Sequence, residues 1–125
     1  MTQLNFALHP ARKPLPSRAG YSYRLAASRI PGTFEDARIT SRDDVSLEAW
    51  YVQPEAWNRK TVILLHGVGD NRVGITEYGL FLAKHGFAFL SPDLRAHGQS
   101  GGDVFSYGVN ETVDVREWGD WPILL

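Results

Sequence analysis

The sequence predicts an α/β fold in which an amino-terminal antiparallel hairpin leads into a mainly parallel sheet with one complete βαβ unit. Residues 37–51 alternate apolar and polar side chains on both sides of a polar turn at residues 41–44, which is typical of a hairpin. Residues 60–90 form an apolar run, a glycine-rich loop, an amphipathic stretch, a glycine and a second apolar run. Strand, helix and strand in this order indicate a βαβ unit with a right-handed crossover.

Composition limits the classes of protein to which the chain can belong. Its 125 residues, 43% of them hydrophobic, suffice for one domain with a core. A net charge of −1 gives no reason to expect nucleic acid or an anionic membrane as a partner. The absence of cysteine excludes a disulfide scaffold, a Cys-ligated metal and a thiol nucleophile. No stretch approaches the ~20 apolar residues of a membrane span, and no signal peptide is recognisable, so we expect a cytoplasmic protein.

The charge is unevenly distributed, which divides the chain into two regions. Residues 1–33 hold five cations and no acid, interrupted by prolines, whereas residues 34–125 hold 8 basic and 14 acidic side chains. A basic arm can bind phosphates or an anionic surface, but its low charge density favours a solvated extension that lies on its own acidic domain. We therefore predict an arm over residues 1–33, with one short helix near residues 21–29, and a domain over residues 34–125.

Within the predicted domain, each element has its own signal. The continuous apolar run at residues 60–65 indicates a central strand covered on both faces. A helix with Ile75, Tyr78 and Leu82 on its apolar face should end at residues 84–86, where a cation precedes a glycine. A second covered strand follows at residues 87–90. After an aperiodic loop, Asn110 is predicted to cap a helix that begins at Glu111.

Two motifs follow the two apolar runs. The first is LLHGVG at residues 64–69, and the second is SPDLRAHGQS at residues 91–100. With these motifs the chain resembles the amino-terminal portion of an α/β-hydrolase, whose third and fourth strands precede an HGxG element and a DxRGHGxS stretch. The likeness extends over residues 34–118, and Ala96 stands where glycine is usual.

The resemblance implies a hydrolase that cleaves ester, amide or similar acyl bonds of a small-molecule substrate with a serine nucleophile and without cofactor or metal. The tetrahedral intermediate of acyl transfer carries a negative oxygen that preorganised N–H groups must meet. The family places one such oxyanion-hole donor on the backbone of Val68. Gly67 and Gly69 are expected to permit the close approach and unusual dihedral angles that this loop needs.

The charged and imidazole side chains of the two motifs are interpreted as supports for the loops. His66 could be read as a catalytic base, but in the family the base lies near the carboxyl terminus, so we assign His66 to loop support. Arg95 and His97 are expected to organise the second motif, with Asp93 as the acceptor for both and for nearby N–H groups.

Residues 98–102 spell GQSGG and satisfy the G-x-S-x-G string of a nucleophile elbow. An elbow needs a strand immediately before its serine and a helix immediately after, and neither is predicted around Ser100, which we reject as nucleophile. In the family, the elbow, the acid and the base follow the helix that begins here near Glu111. We therefore expect a chain that is truncated before the elbow, inactive alone, and prone to self-association through an exposed sheet edge. The alternative is a non-catalytic fragment or interaction module.

Competing kinds of site are weaker. The glycines after the first strand match neither G-x-G-x-x-G nor G-x-x-x-x-G-K-[ST], which argues against a nucleotide loop. Asp93 and His97 have no convincing third metal ligand.

Overall fold

The computed structural model describes residues 8–16 and 19–121. Its elements, in chain order, are α1 (Ala19–Ala27), β1 (Gly32–Thr40), β2 (Ser46–Pro54), β3 (Thr61–Ile63), a 3-10 helix (Arg72–Ile75), α2 (Thr76–Lys84), β4 (Ala88–Pro92) and α3 (Val109–Gly119). None of the helices in these ranges is long and apolar enough to cross a membrane.

The four strands form one mixed sheet in the order β1-β2-β4-β3. β1 and β2 pair antiparallel, β2 and β4 pair antiparallel, and β3 and β4 pair parallel. The hairpin and the βαβ unit β3-α2-β4 are therefore both present. This confirms the predicted fold class.

The hairpin turns where the sequence predicts. Ser41 closes the turn with its backbone N–H on the carbonyl of Val45, 2.9 Å away, and its hydroxyl accepts the Val45 N–H at 2.9 Å. Asp44 takes the left-handed conformation that such a turn requires, with φ of 66°. β1 begins at Gly32, so the sheet includes the last residues of the segment predicted as an arm.

The two parallel strands differ in burial and in their place in the sheet. β4 is buried along its whole length and lies between β2 and β3. β3 is half-buried, and among the described residues it pairs with β4 alone. The strand predicted at residues 60–65 therefore lies at an edge of the described sheet, which is the exposed edge that we expect from the sequence.

The core occupies both faces of the sheet. One cluster of buried side chains includes Leu47, Tyr51, Leu90 and Trp118. The cluster on the other face includes Trp50 and Phe89, together with Tyr23 from α1, whose ring stacks on Trp50 at 4.1 Å between centroids. The helix predicted within the arm thus exists and contributes an aromatic side chain to the core.

The face of α2 that meets the sheet differs from the prediction. Gly79 and Ala83 are buried, whereas Tyr78 and Phe81 are 70% and 63% exposed. A Cβ on Gly79 would lie 2.5 Å from the ring of Phe89, so glycine lets the helix approach β4 closely. The small residues decide the contact face, and the large aromatic side chains point to solvent.

α3 begins at Val109 rather than at Glu111. The carboxylate of Glu111 accepts the N–H groups of Ser106 and Gly108 at 3.0 and 2.9 Å and thereby caps the helix. Burial favours the neutral acid, but these donors outweigh it and hold the pKa of Glu111 below its ordinary value. Asn110 lies inside the helix, so the prediction that it caps the helix is wrong.

Candidate active-site loops

Two loops leave the sheet at one edge, where the parallel strands β3 and β4 end. The first loop covers residues 64–71 and the second covers residues 93–108. Ligand sites of open α/β sheets lie at this carboxyl edge of the strands. The motif residues of both predicted stretches are therefore placed side by side.

Two buried histidines join the loops reciprocally. Nε2 of His66 accepts the backbone N–H of Leu94 in the second loop at 3.0 Å, and Nε2 of His97 accepts the N–H of Gly69 in the first loop at 2.9 Å. Nδ1 of each ring lies 2.8–2.9 Å from a carbonyl oxygen, of Gly67 for His66 and of Arg95 for His97. These partners assign both rings as neutral, with the proton on Nδ1.

The protonation of His66 follows from its surroundings. Burial lowers the pKa of His66 and outweighs the bond to the Gly67 carbonyl, which acts in the opposite direction. The neutral ring, which can accept the Leu94 N–H, is thus the favoured form. Both nitrogens are engaged with backbone groups.

Asp93 anchors the first loop through Arg72. Asp93 is completely buried, and its carboxylate accepts the backbone N–H of Arg72 at 2.7 Å, the Arg72 guanidinium at 2.6 Å and the Gln99 N–H at 2.8 Å. The guanidinium also lies 4.6 Å from the centroid of the Trp50 ring. Gly98, with φ of +50°, is required here because a Cβ would meet the carboxylate at 2.2 Å.

Arg95 does not bond to Asp93, contrary to the sequence prediction. It binds Asp114 of α3 at 2.7 and 2.8 Å and Asp43 of the hairpin turn at 2.7 and 3.0 Å. The guanidinium holds the pKa of Asp43 well below its ordinary value, and the two carboxylates raise the pKa of Arg95. His97 likewise contacts backbone groups rather than Asp93. The loop partner of Asp93 is Arg72, which sequence reasoning left without a role although it lies three residues after the end of the first motif.

Val68 lies at the exposed tip of the first loop. The residue is 52% exposed, and within the described ranges its backbone N–H has no hydrogen-bond acceptor. Gly69 has the positive φ that favours glycine, +83°. Gly67 has no such angle, and a Cβ placed there would meet no atom within 4 Å, so the protein itself leaves that space open.

Ser100 is 2% exposed, and its hydroxyl is fully engaged. It donates to the carbonyl of Asp93 at 2.6 Å and accepts the N–H of Glu48 at 3.0 Å. The next helix begins only at Val109, so the strand–turn–helix setting of an elbow is missing around Ser100. These contacts fasten the second loop to β2.

Comparison with known proteins identifies the fold to which these loops belong. The solved structure of the esterase Pf2001 from Pyrococcus furiosus matches with a TM-score of 0.73 and 29% identity, over 91% of this chain and 42% of that chain. An α/β-hydrolase from Vibrio vulnificus matches with a TM-score of 0.66 at 23% identity, over 89% of this chain and 38% of that chain, and shows the fold alone. The chain has the α/β-hydrolase fold. It corresponds to the amino-terminal portion of that fold.

A curated relative gives the same picture of partial coverage. Uncharacterized protein YqkD of Bacillus subtilis is 33% identical over 79 residues, which are 63% of this chain and 26% of the relative. No protein-family model matches the chain. The chain thus spans about a quarter of the length of this curated relative.

The departure from the α/β-hydrolase motif at Ala96 has a geometric explanation. Ala96 is buried and has φ of 64°, in the left-handed region that glycine adopts without steric cost. The left-handed conformation at this position explains why glycine is usual there. This chain keeps the conformation although Ala96 carries a methyl group.

Proposed function

We propose that this chain forms part of a serine hydrolase that cleaves ester, amide or similar acyl bonds of a small-molecule substrate. The observation that supports it is the backbone N–H of the exposed residue Val68, which has no acceptor among the described residues, on a loop that Arg72 and His97 hold in place. A donor that is fixed before the reaction stabilises the oxyanion of a tetrahedral intermediate without the cost of reorganisation.

The two loops have different tasks in this proposal. Val68 offers one oxyanion donor, and Gly67 leaves space beside it for the carbonyl carbon under attack. His66 and His97 take no part in proton transfer, because each ring uses both nitrogens to hold the loops together. Their neutral, buried rings act as loop supports.

The nucleophile, the acid and the base belong to segments that follow α3 in the family. Ser100 is not the nucleophile in this proposal, because its hydroxyl holds the second loop against β2. We propose that the 125-residue chain by itself is inactive. The similar Pyrococcus furiosus protein is an esterase, which supports acyl chemistry for the whole enzyme.

A fluorophosphonate probe, which labels activated serines, tests this division of roles. We expect the 125-residue chain to remain unlabelled, because loss of a whole triad lowers the rate on the order of a millionfold. Intact mass spectrometry after prolonged incubation measures the labelled fraction. A longer protein that adds the segments after α3 should be labelled at a serine outside the present sequence.

Two alanine variants make the outcome specific. Stoichiometric labelling of the chain that disappears in Ser100→Ala but persists in Ser46→Ala would overturn the assignment of Ser100. Failure of the longer protein to react or to hydrolyse an activated ester would contradict the proposed function itself.

A further inference from the structure

The segment before α1 is bound to the loops of the candidate site. We call residues 8–16 the strap. Its most extensive contact is the guanidinium of Arg12, which donates to three carbonyl oxygens of the second loop: Gly98 at 3.0 Å, Ser100 at 2.5 Å and Gly102 at 2.6 Å. One side chain, 86–90 residues distant along the chain, thereby gathers the end of the motif that carries His97.

The convergence of these carbonyls depends on the conformation of the loop. Gly98 and Gly102 have φ of +50° and +82°, and these angles turn the backbone so that three oxygens face one point. Three converging carbonyl dipoles create a negative potential, which the planar fork of a guanidinium matches better than the point charge of an ammonium. Hydrogen bonds from a charged donor are also the stronger kind.

The strap also contacts the first loop. Asn71 is 1% exposed; its side-chain N–H₂ donates to the carbonyl of Lys13 at 3.0 Å, and its side-chain oxygen accepts the N–H of Val73 at 2.9 Å. The residue after Arg12 is therefore tied to the start of the 3-10 helix that follows Val68. The Lys13–Asp70 ion pair, at 3.4 Å and exposed, adds little.

A third pair of contacts holds the start of the strap. The N–H of Phe105 donates to the carbonyl of Leu8 at 2.7 Å, and Nδ1 of His9 lies 2.8 Å from the carbonyl of Asp103. The strap thus touches the second loop at two places and the first loop at one. It therefore binds both of the loops that His66 and His97 also join.

We propose that Arg12 is a positioning residue, which holds the second loop and, through the His97–Gly69 bond, the oxyanion donor of the first loop in the productive arrangement. The effect on catalysis rests on the proposed function, whereas the effect on loop order does not. Among the described residues the Arg12 side chain donates its hydrogen bonds to backbone carbonyls, and this role needs no contact with substrate. Removal of its fork would free the carbonyls of the turn from which His97 reaches Gly69.

Amide hydrogen exchange of the 125-residue chain at sub-micromolar concentration tests the positioning. Arg12→Gln removes the charge and the fork, and Arg12→Lys keeps the charge without the fork. Arg29→Gln is the matched control, because Arg29 carries the same charge in the same amino-terminal region and its side chain is exposed, with no hydrogen bond or ion pair in the described part of the chain.

We expect Arg12→Gln to speed exchange about tenfold or more in peptides over residues 67–75 and 95–102, since lost charged hydrogen bonds shift a local opening equilibrium by that order. Arg12→Lys should give a smaller increase and Arg29→Gln none. Unchanged exchange in Arg12→Gln would overturn the proposal. An equal increase over β2 and β4 would overturn it too, because it would show a general loss of stability.

Kinetics of a longer, active form of the protein provide the second measurement. Arg12→Gln should lower kcat about tenfold with little change in KM, because a displaced donor weakens the transition state more than the bound substrate. Normal kcat together with faster loop exchange would contradict the positioning role. Absence of activity in the unsubstituted longer protein would contradict the proposed function and leave the exchange result standing.

Discussion

At the scale of the residue, substitutions at Gly67 and Val68 can distinguish an oxyanion loop from a loop that only connects a strand to a helix. The Gly67 position is open and needs no special dihedral angle, so a side chain there disturbs no contact of the described protein. Val68 is an exposed residue, and the group that we propose to act in catalysis is its backbone N–H. A connector would tolerate changes at both positions, whereas an oxyanion loop would tolerate only the second.

We predict that Gly67→Val lowers the turnover of a longer, active form by about a hundredfold or more, the usual cost of one lost oxyanion donor. The added side chain would fill the space in which the substrate carbonyl meets the Val68 N–H. Val68→Ala should stay within about tenfold of the unsubstituted enzyme, because it leaves the main chain in place. Hydrolysis of an activated ester gives both rates, and urea unfolding checks that the stability of the two variants is equal. Equal, mild effects would make this loop a connector.

At the scale of the element, one of the groups that join the two loops is His66, whose protonation changes with pH. His66 faces His97, Asp93 and Asp70, and its neutral ring accepts the Leu94 N–H. Burial lowers the pKa of His66 in the folded chain below its ordinary value of 6.5, so the unfolded chain binds more protons below that pH. The contribution of His66 to the stability of the folded chain is therefore fully present above about pH 6.5. It decreases as the pH falls through the lowered pKa.

We therefore predict that the urea concentration at the unfolding midpoint decreases when the pH is lowered from about 7.5 to about 5.5. The decrease should be smaller in His66→Gln. Glutamine can still offer an oxygen near the Leu94 N–H but cannot take up a proton. Tryptophan fluorescence at sub-micromolar concentration measures the midpoint. An equal fall in both proteins would show that His66 is not the group responsible.

The loop contacts also show how far the sequence determines the site. The two motifs predicted which loops lie side by side. Each motif follows an apolar run, and a right-handed crossover makes the two runs adjacent, parallel strands. The pairing of Asp93 with Arg72 rather than with Arg95 could not be read from the sequence. It depends on how the loops fold back, and the sequence offers several cations within reach. The face of α2 that meets the sheet differs from the prediction for a related reason. Gly79 contacts Phe89 because it is small, and hydrophobic periodicity does not take the size of a residue into account.

At the scale of the whole molecule, β3 is an edge strand of the described sheet. Within the described residues it pairs with β4 on one side, and its other side presents unpaired backbone groups beside apolar side chains. An uncharged, β-prone edge of this kind is a template for pairing with another copy. In the family that edge is occupied by a later strand, so we expect the 125-residue chain alone to self-associate at micromolar concentration.

The packing of β3 shows where a charged side chain could reduce self-association without disturbing the core. Ile63 packs against one core cluster and Leu64 against the other, whereas Val62 is half-buried and belongs to neither. We predict that Val62→Lys lowers the association measured by sedimentation velocity about tenfold or more, since natural sheets use lysine to protect their edges. Val104→Lys, which adds an equal charge at an exposed residue of the second loop, should leave association unchanged. A monodisperse monomer with a two-state calorimetric melt would show that the 125 residues are stable without a strand beside β3, and an interaction module would then be the better description.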